Sequence, residues 1–283
     1  MSGWGQTGPY RDRPSYEFAA AAFAGLTYVT GFPEHPPVLP GMAIMDHTAA
    51  MFGVIGVLEA IRRRDAQGKD GRGCHIDVAL YEPAIRISNE LIASYAATGR
   101  AHQREGSIPS GRDVPHVSYG HVYETRDGRY VSCFAASRAE FNRLVEMIGR
   151  PDFVDDPRFA TEKQRVYTEF PVVDKALREW IRQRDLDEVL EHLRRADVAC
   201  GAVNGPAEIL ADPHIAERGN IIQLDDGEGG KTTMQAPIPR FDGRVPQVRW
   251  PAQPLGASNR DVYEGLLGLS AEEVAALREN GVI

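Results

Sequence analysis

Residues 41–61 read GMAIMDHTAAMFGVIGVLEAI, an aspartate at position 46 followed by Met51, Val54, Ile55, Leu58 and Ile61 at three- and four-residue spacing. That period predicts a helix from Asp46 to about Arg64. Its end is basic (Arg62, Arg63, Arg64), which suits the negative pole of the helix dipole. The preceding link, TGFPEHPPVLPG (30–41), holds four prolines in twelve residues and excludes regular structure. Asp46 is therefore expected at or just before a helix N-terminus. Taken alone, an aspartate there reads as an N-cap that accepts a backbone N–H bond.

Upstream, Tyr16 to Leu26 (YEFAAAAFAGL) has good helix propensity, with Gly25 near its end. Downstream, after the turn QGKDGRG, the segment CHIDVAL (74–80) alternates like a strand, and Tyr81 to Tyr95 returns to helical spacing. Helix, strand and helix in this order suggest part of an α/β layer. Residues 99–118 are polar and rich in Gly and Pro, the composition of a domain boundary or an active-site loop. YGHVYETRDGRYVSCFAA then predicts a hairpin turning at Asp127-Gly128, followed by helices over 138–148, 172–184 and 186–196. A second hairpin is expected around DDGEGGK (225–231). A closing helix is capped by Ser270 with Glu273 three residues on.

Composition narrows the function. With 32 basic against 40 acidic residues, the net charge of −8 argues against a duplex nucleic-acid binder. No run of about 18 uncharged apolar residues occurs and the start lacks a secretory core, so neither a membrane span nor export is expected, and the cytoplasm is the expected location. Cys74, Cys133 and Cys200 are too scattered for a disulfide framework or a zinc site, and the eight histidines form no HExxH pattern. No metal is expected.

SGWGQTGPYRDRPSYEFAAAAFAGL (2–26), the proline-rich link, GMAIMDHTAAMFGVIGVLEAI and GRGCHIDVALYE (71–82) together resemble the consecutive motifs of the family III CoA-transferases, also called the CaiB/BaiF family. The resemblance continues through GRPDFVDDPRF, VACGAVNGPAEILADPHI and PLGASNRDVYEGLLGLSAEEVAALRENGVI. It implies an α/β fold with a partial Rossmann-like large domain, residues 1–100 with 235–283, and a smaller α+β domain, residues 101–234. It implies an interlocked homodimer, for which the proline-rich stretch 236–256 is suited. Full-length members begin with a further nucleotide-binding region, so the family half absent from this sequence is expected either upstream or in a partner chain.

By the same resemblance Asp46 is the nucleophile, forming an aspartyl anhydride and then an aspartyl–CoA thioester as CoA passes from an acyl-CoA to a free carboxylic acid. Glu17 orients a carboxyl group, and Ser15, Tyr16 and Arg13 are candidate CoA contacts; Arg11 and Arg72 are further phosphate candidates. CoA and acyl-CoA are then substrates, with no tightly bound cofactor. The loop Gly106–Gly111 (GSIPSG) falls where formyl-CoA transferases carry a run of glycines, and Pro109 departs from that pattern, which tells against formyl or oxalate specificity. Two alternatives stay open at this point. One is α-methylacyl-CoA racemisation, although Ser15-Tyr16-Glu17 stands where that branch carries its GHD motif. The other is a non-catalytic truncated remnant. His47 reads as structural, because adjacent helical positions point in different directions.

Overall fold

A computed structural model of the chain describes residues 1–101, 103–104, 106, 121–135, 137–227, 229–248 and 250–283. These divide into two compact units, Met1–Val203 and Asn204–Ile283. The layout expected from sequence draws its boundaries elsewhere, near 100 and 235, and is taken up below as a proposal about the assembled protein.

In the first unit an incomplete parallel layer is built from the two ends of a crossover. Ser2 bridges Ala79 in parallel sense, with Ser2 N–H donating to Val78 O (3.0 Å) and Leu80 N–H to Ser2 O (2.9 Å). The Asp77 carboxylate accepts a further bond from Gln6 N–H at 2.8 Å. Between these segments lie helices α1 (Glu17–Phe23), α2 (Leu26–Val29) and α3 (Ile44–Ala66). The expected strand at CHIDVAL is thus only an extended segment with one bridge. Parallel pairing is stable in multi-stranded sheets covered on both faces, and here one neighbour is present.

Alanines let α1 and α3 approach closely: Ala20, Ala21, Ala24, Met45, Ala49, Leu80 and Ala84 make one buried cluster. Gly25, at φ +86°, ends the first helical stretch in the left-handed conformation that glycine adopts without strain. The expected helix over 81–95 is broken at Ser88 into α4 (Glu82–Ile87) and α5 (Asn89–Thr98). Serine competes with the backbone for hydrogen bonds and suits such a junction.

The remainder of this unit is an α+β module. Strands β1 (His121–Glu124), β2 (Tyr130–Phe134) and β3 (Ala199–Ala202) form an antiparallel sheet in the order β1-β2-β3. Helices α6 (Arg138–Met147), α7 (Phe170–Ile181) and α8 (Leu186–Arg195) cover it; α6 and α8 end one residue short of the expected spans, while α7 begins at 170 and not 172 and ends at 181 and not 184. Tyr123, Val131, Leu144, Leu177, Ile181, Leu186, Val189 and Leu193 fill the core between sheet and helices. Ser137 and Glu140 close a capping box at the start of α6.

The second unit contains α9 (Pro206–Ala211), α10 (Pro213–Glu217), the hairpin β4 (Ile221–Asp225) and β5 (Lys231–Gln235), and α11 (Ala271–Glu279). The hairpin falls where DDGEGGK predicts it, and Ser270 and Glu273 cap α11 as expected.

Candidate active site

The first turn of α3 has no side-chain cap of its own, since Ala43 occupies the N-cap position. Its free N–H groups need acceptors from elsewhere. Glu17, the first residue of α1, supplies them: its Oε1 accepts from Met45 N–H at 3.1 Å and its Oε2 from Asp46 N–H at 2.9 Å. A carboxylate from one helix therefore caps another, and its charge sits at the positive end of the α3 dipole.

Asp46 is the third residue of α3 and is exposed, not the N-cap that an isolated reading suggests. Among the described residues its carboxylate takes part in no hydrogen bond or ion pair. The capping of this helix start is done by Glu17 instead. His47 Nδ1 lies 2.6 Å from Ala43 O; a carbonyl only accepts, so that nitrogen carries the proton and the ring is committed to the helix backbone.

The other sequence candidates lie around α1. Tyr16 is its N-cap, with an exposed ring stacked on Phe18 at 6.3 Å between centroids. Ser15 Oγ is enclosed without a hydrogen-bond partner, and its side chain lies so close to Gly3 that a Cβ there would come within 2.3 Å of Ser15 Cβ. The Arg13 guanidinium lies 3.7 Å from the centroid of the Tyr10 ring, a cation–π contact. Arg11 pairs with Asp12 at 3.3 Å, and Arg72 is exposed. The geometry thus joins Glu17 directly to Asp46, with Tyr16 and Ser15 adjacent in the chain.

Gly106 donates its N–H to Gly31 O at 2.9 Å, with φ at +65°. A Cβ there would meet Phe32 Cδ1 at 2.4 Å, so this end of the loop needs glycine for both conformation and space. Gly111 lies outside the described residues, as does the rest of the loop from 107 to 120.

A cavity of about 600 Å³, lined by Phe23, Tyr28, Ile85, Leu91, Ile92 and Tyr95 among others, opens at the other end of α1. Sequence spacing gave no sign of it. Neither Glu17 nor Asp46 lines it. No group of three or more potential metal ligands occurs among the described residues. The link between Glu17 and α3 also escaped the sequence reading. It spans 28 and 29 residues across a proline-rich connection with no periodicity to report it.

Comparison with known proteins supplies the remaining context. The model of the family described as CoA-transferase family III matches residues 1–259. The chain is 32% identical over 283 residues to the succinyl-CoA–D-citramalate CoA-transferase of Chloroflexus aurantiacus, covering 100% of this chain and 68% of that protein. It is 35% identical over 284 residues to a succinyl-CoA–L-malate CoA-transferase alpha subunit of Chloroflexus aurantiacus, covering 100% and 64%. A formyl-CoA:oxalate CoA-transferase of Streptomyces avermitilis is 29% identical over 300 residues, with 100% of this chain and 70% of that protein covered. Among solved structures, a CaiB/BaiF family protein from Brucella suis superposes with a TM-score of 0.73 at 26% identity, covering 94% of this chain and 66% of that one. The chain spans about two thirds of the length of these relatives.

Proposed function

The chain belongs to CoA-transferase family III, and we propose that the enzyme it forms moves CoA from an acyl-CoA thioester to a free carboxylic acid, with Asp46 as nucleophile. One observation carries this reading: Glu17 fixes the backbone of Asp46 through its N–H, while the Asp46 carboxylate stands exposed and, among the described residues, unengaged. A group meant for capping would be turned to the backbone, whereas one meant to attack must be free to reach a carbonyl carbon.

The steps balance without redox change or net proton transfer. A carboxylate oxygen of Asp46 attacks the thioester carbonyl, the C–S bond breaks, and CoA leaves as thiolate. The thiolate then attacks the Asp46 carbonyl of the mixed anhydride and releases the donor acid, leaving an Asp46–CoA thioester. The acceptor carboxylate attacks that thioester, forming a second anhydride and freeing the thiolate again. Finally the thiolate takes the acceptor acyl group, and the Asp46 carboxylate is regenerated. Glu17 serves as a positioning residue, holding the first turn of α3 while the charge on Asp46 is consumed and restored.

The names of the relatives at 32% and 35% identity make succinyl-CoA, with a hydroxydicarboxylic acid as acceptor, the first pair to assay. Pro109 in GSIPSG disfavours the formyl and oxalate pair. The proposal carries with it an interlocked homodimer in the cytoplasm, and the domain layout expected from sequence. The test is mass spectrometry of the enzyme incubated with succinyl-CoA and quenched with hydroxylamine. A hydroxamate on Asp46 is expected, with transfer reduced at least about a thousandfold in both Asp46→Asn and Asp46→Ala. Substantial transfer by Asp46→Asn, whose amide is a poor nucleophile, would remove Asp46 from that role.

A further inference from the structure

The α+β module brings together two cysteines that are far apart in the chain. Cys133 on β2 and Cys200 on β3 are direct partners in the antiparallel register, with Val131 opposite Ala202 two positions along. Direct partners point to the same face of a sheet. Cys133 accordingly belongs to the core cluster under the helices, and Cys200 packs against it. Both are free thiols, Cys133 buried and Cys200 half-buried.

The hydrogen bonds of the ladder decide which kind of pair this is. Val203 N–H donates to Tyr130 O at 2.9 Å, so Tyr130 and Val203 are a hydrogen-bonded pair. Hydrogen-bonded and non-hydrogen-bonded pairs alternate along an antiparallel ladder, which makes Ser132–Gly201 the next hydrogen-bonded pair and Cys133–Cys200 a non-hydrogen-bonded one. The other side of β2 agrees. Thr125 N–H donates to Arg129 O at 2.9 Å, and the same alternation makes His121–Cys133 hydrogen-bonded, so the backbone groups of Cys133 are turned to β1 and away from β3. Facing Cα atoms at a non-hydrogen-bonded position stand about 4.5 Å apart, with their side chains close together. A disulfide spans Cα separations of about 4.4–6.8 Å, so this pair can be bridged without moving either strand.

We propose that Cys133 and Cys200 are a redox-responsive clasp, a dithiol that closes to a disulfide across β2 and β3 when the chain meets a small-molecule disulfide. Cys200, the more accessible thiol, reacts first: its thiolate attacks one sulfur of the oxidant, the S–S bond breaks, and one thiolate leaves. The Cys133 thiolate then attacks the Cys200 sulfur and expels the second. The two protons of the cysteines end on the two released thiols, and the two electrons the cysteines lose reduce the oxidant. Burial pushes the Cys133 thiol up to about 12 and raises Cys200 as well, against the nearby charge of Arg194, so thiolates are scarce and closure is slow. In a reducing compartment the dithiol is the resting form. Closure puts α6, α7 and α8 inside one covalent ring and restricts the unfolded chain. None of this depends on Asp46 being the nucleophile.

The test uses the chain carrying Cys74→Ser, which removes the exposed third thiol, treated with oxidised glutathione under native conditions and mapped without reduction by mass spectrometry. A peptide joining Cys133 to Cys200, lighter by two hydrogen atoms and separated by dithiothreitol, is expected. The melting temperature of the oxidised chain should rise by on the order of 10 °C and return on reduction. In Cys133→Ala the reaction should stop at a glutathione adduct on Cys200. Moving the thiol by one pair, with Cys200→Ala and Ala202→Cys together, leaves a diagonal neighbour about 7–8 Å from Cys133, and cross-linking should slow at least tenfold. The proposal is overturned if the native chain keeps both thiols or only collects glutathione on Cys200. It is equally overturned if the link forms only in urea, if it fails to raise the melting temperature, or if the displaced thiol links as fast as Cys200.

Discussion

At the scale of single residues, the pairing of Glu17 with the start of α3 makes two roles separable by mutation. Glu17→Ala removes both acceptors of the Met45 and Asp46 N–H groups. Loss of such a cap costs about 1 kcal/mol, or roughly 2–4 °C in melting temperature for a chain of this size. Glu17→Gln keeps one carbonyl oxygen and should recover part of that stability. Both variants are expected to lower kcat about tenfold while still forming the Asp46 adduct, because the nucleophile is retained and only its placement suffers. An unchanged melting temperature and rate in Glu17→Ala would show that the cap is incidental. How much of this was legible in the sequence divides cleanly. Asp46 and Glu17 were singled out in advance through the resemblance of their motifs, whereas the bond between their helices was not, since contacts across a proline-rich link leave no local pattern.

At the scale of elements, the small α+β module was the most readable part, because its hairpin turn and amphipathic helices each satisfy a local rule. The extended segment at 74–80 and the break at Ser88 were misread for the opposite reason: the first depends on neighbouring strands, and the second on a residue tolerated in helices and at caps alike. The hairpin turn also docks the module's helices. Asp127 accepts from the Thr125 hydroxyl at 2.5 Å and from Leu186 N–H at 3.2 Å, at the start of α8. Beside it Arg126 makes a two-pronged bond to Asp185 at 2.9 and 2.7 Å. The Thr125 hydroxyl first, and then the Asp127 and Leu186 backbone N–H groups, hold the Asp127 carboxyl below the usual aspartate range; Arg126 does the same for Asp185. A folded-state value below the unfolded one, about 3.9, means that the stabilisation is present above that pH and is lost as pH falls through the folded value. The urea midpoint of the chain should therefore fall on acidification below about pH 4. In Asp127→Asn the fall should be shallower, and an identical acid limb would exclude Asp127 as a contributor.

At the scale of the whole molecule, the second unit has too little interior to stand alone. Val274 is the only apolar side chain enclosed among the described residues of Asn204–Ile283, while Ile238, Phe241, Trp250 and Leu255 are exposed along the proline-rich stretch. Sequence composition concealed this, because apolar residues are present in ordinary proportion and only the fold leaves them uncovered. A core of one side chain cannot offset the ordering entropy of such a length of chain. Residues 204–283 expressed alone are accordingly expected to give no cooperative thermal transition, whereas 121–203, with its filled core, should melt cooperatively. A sigmoidal melt for 204–283 would contradict this. The same exposed stretch bears on assembly. If it is covered by a partner through which the chain threads, as proposed, the complete enzyme should remain dimeric on dilution and separate only on unfolding. Sedimentation at nanomolar concentration and denaturant titration with size detection give the decisive pair of readings: loss of the dimer should coincide with loss of helix. A reversible monomer–dimer equilibrium at micromolar concentration, with secondary structure intact, would mean that the chains pack side by side and are not interlocked.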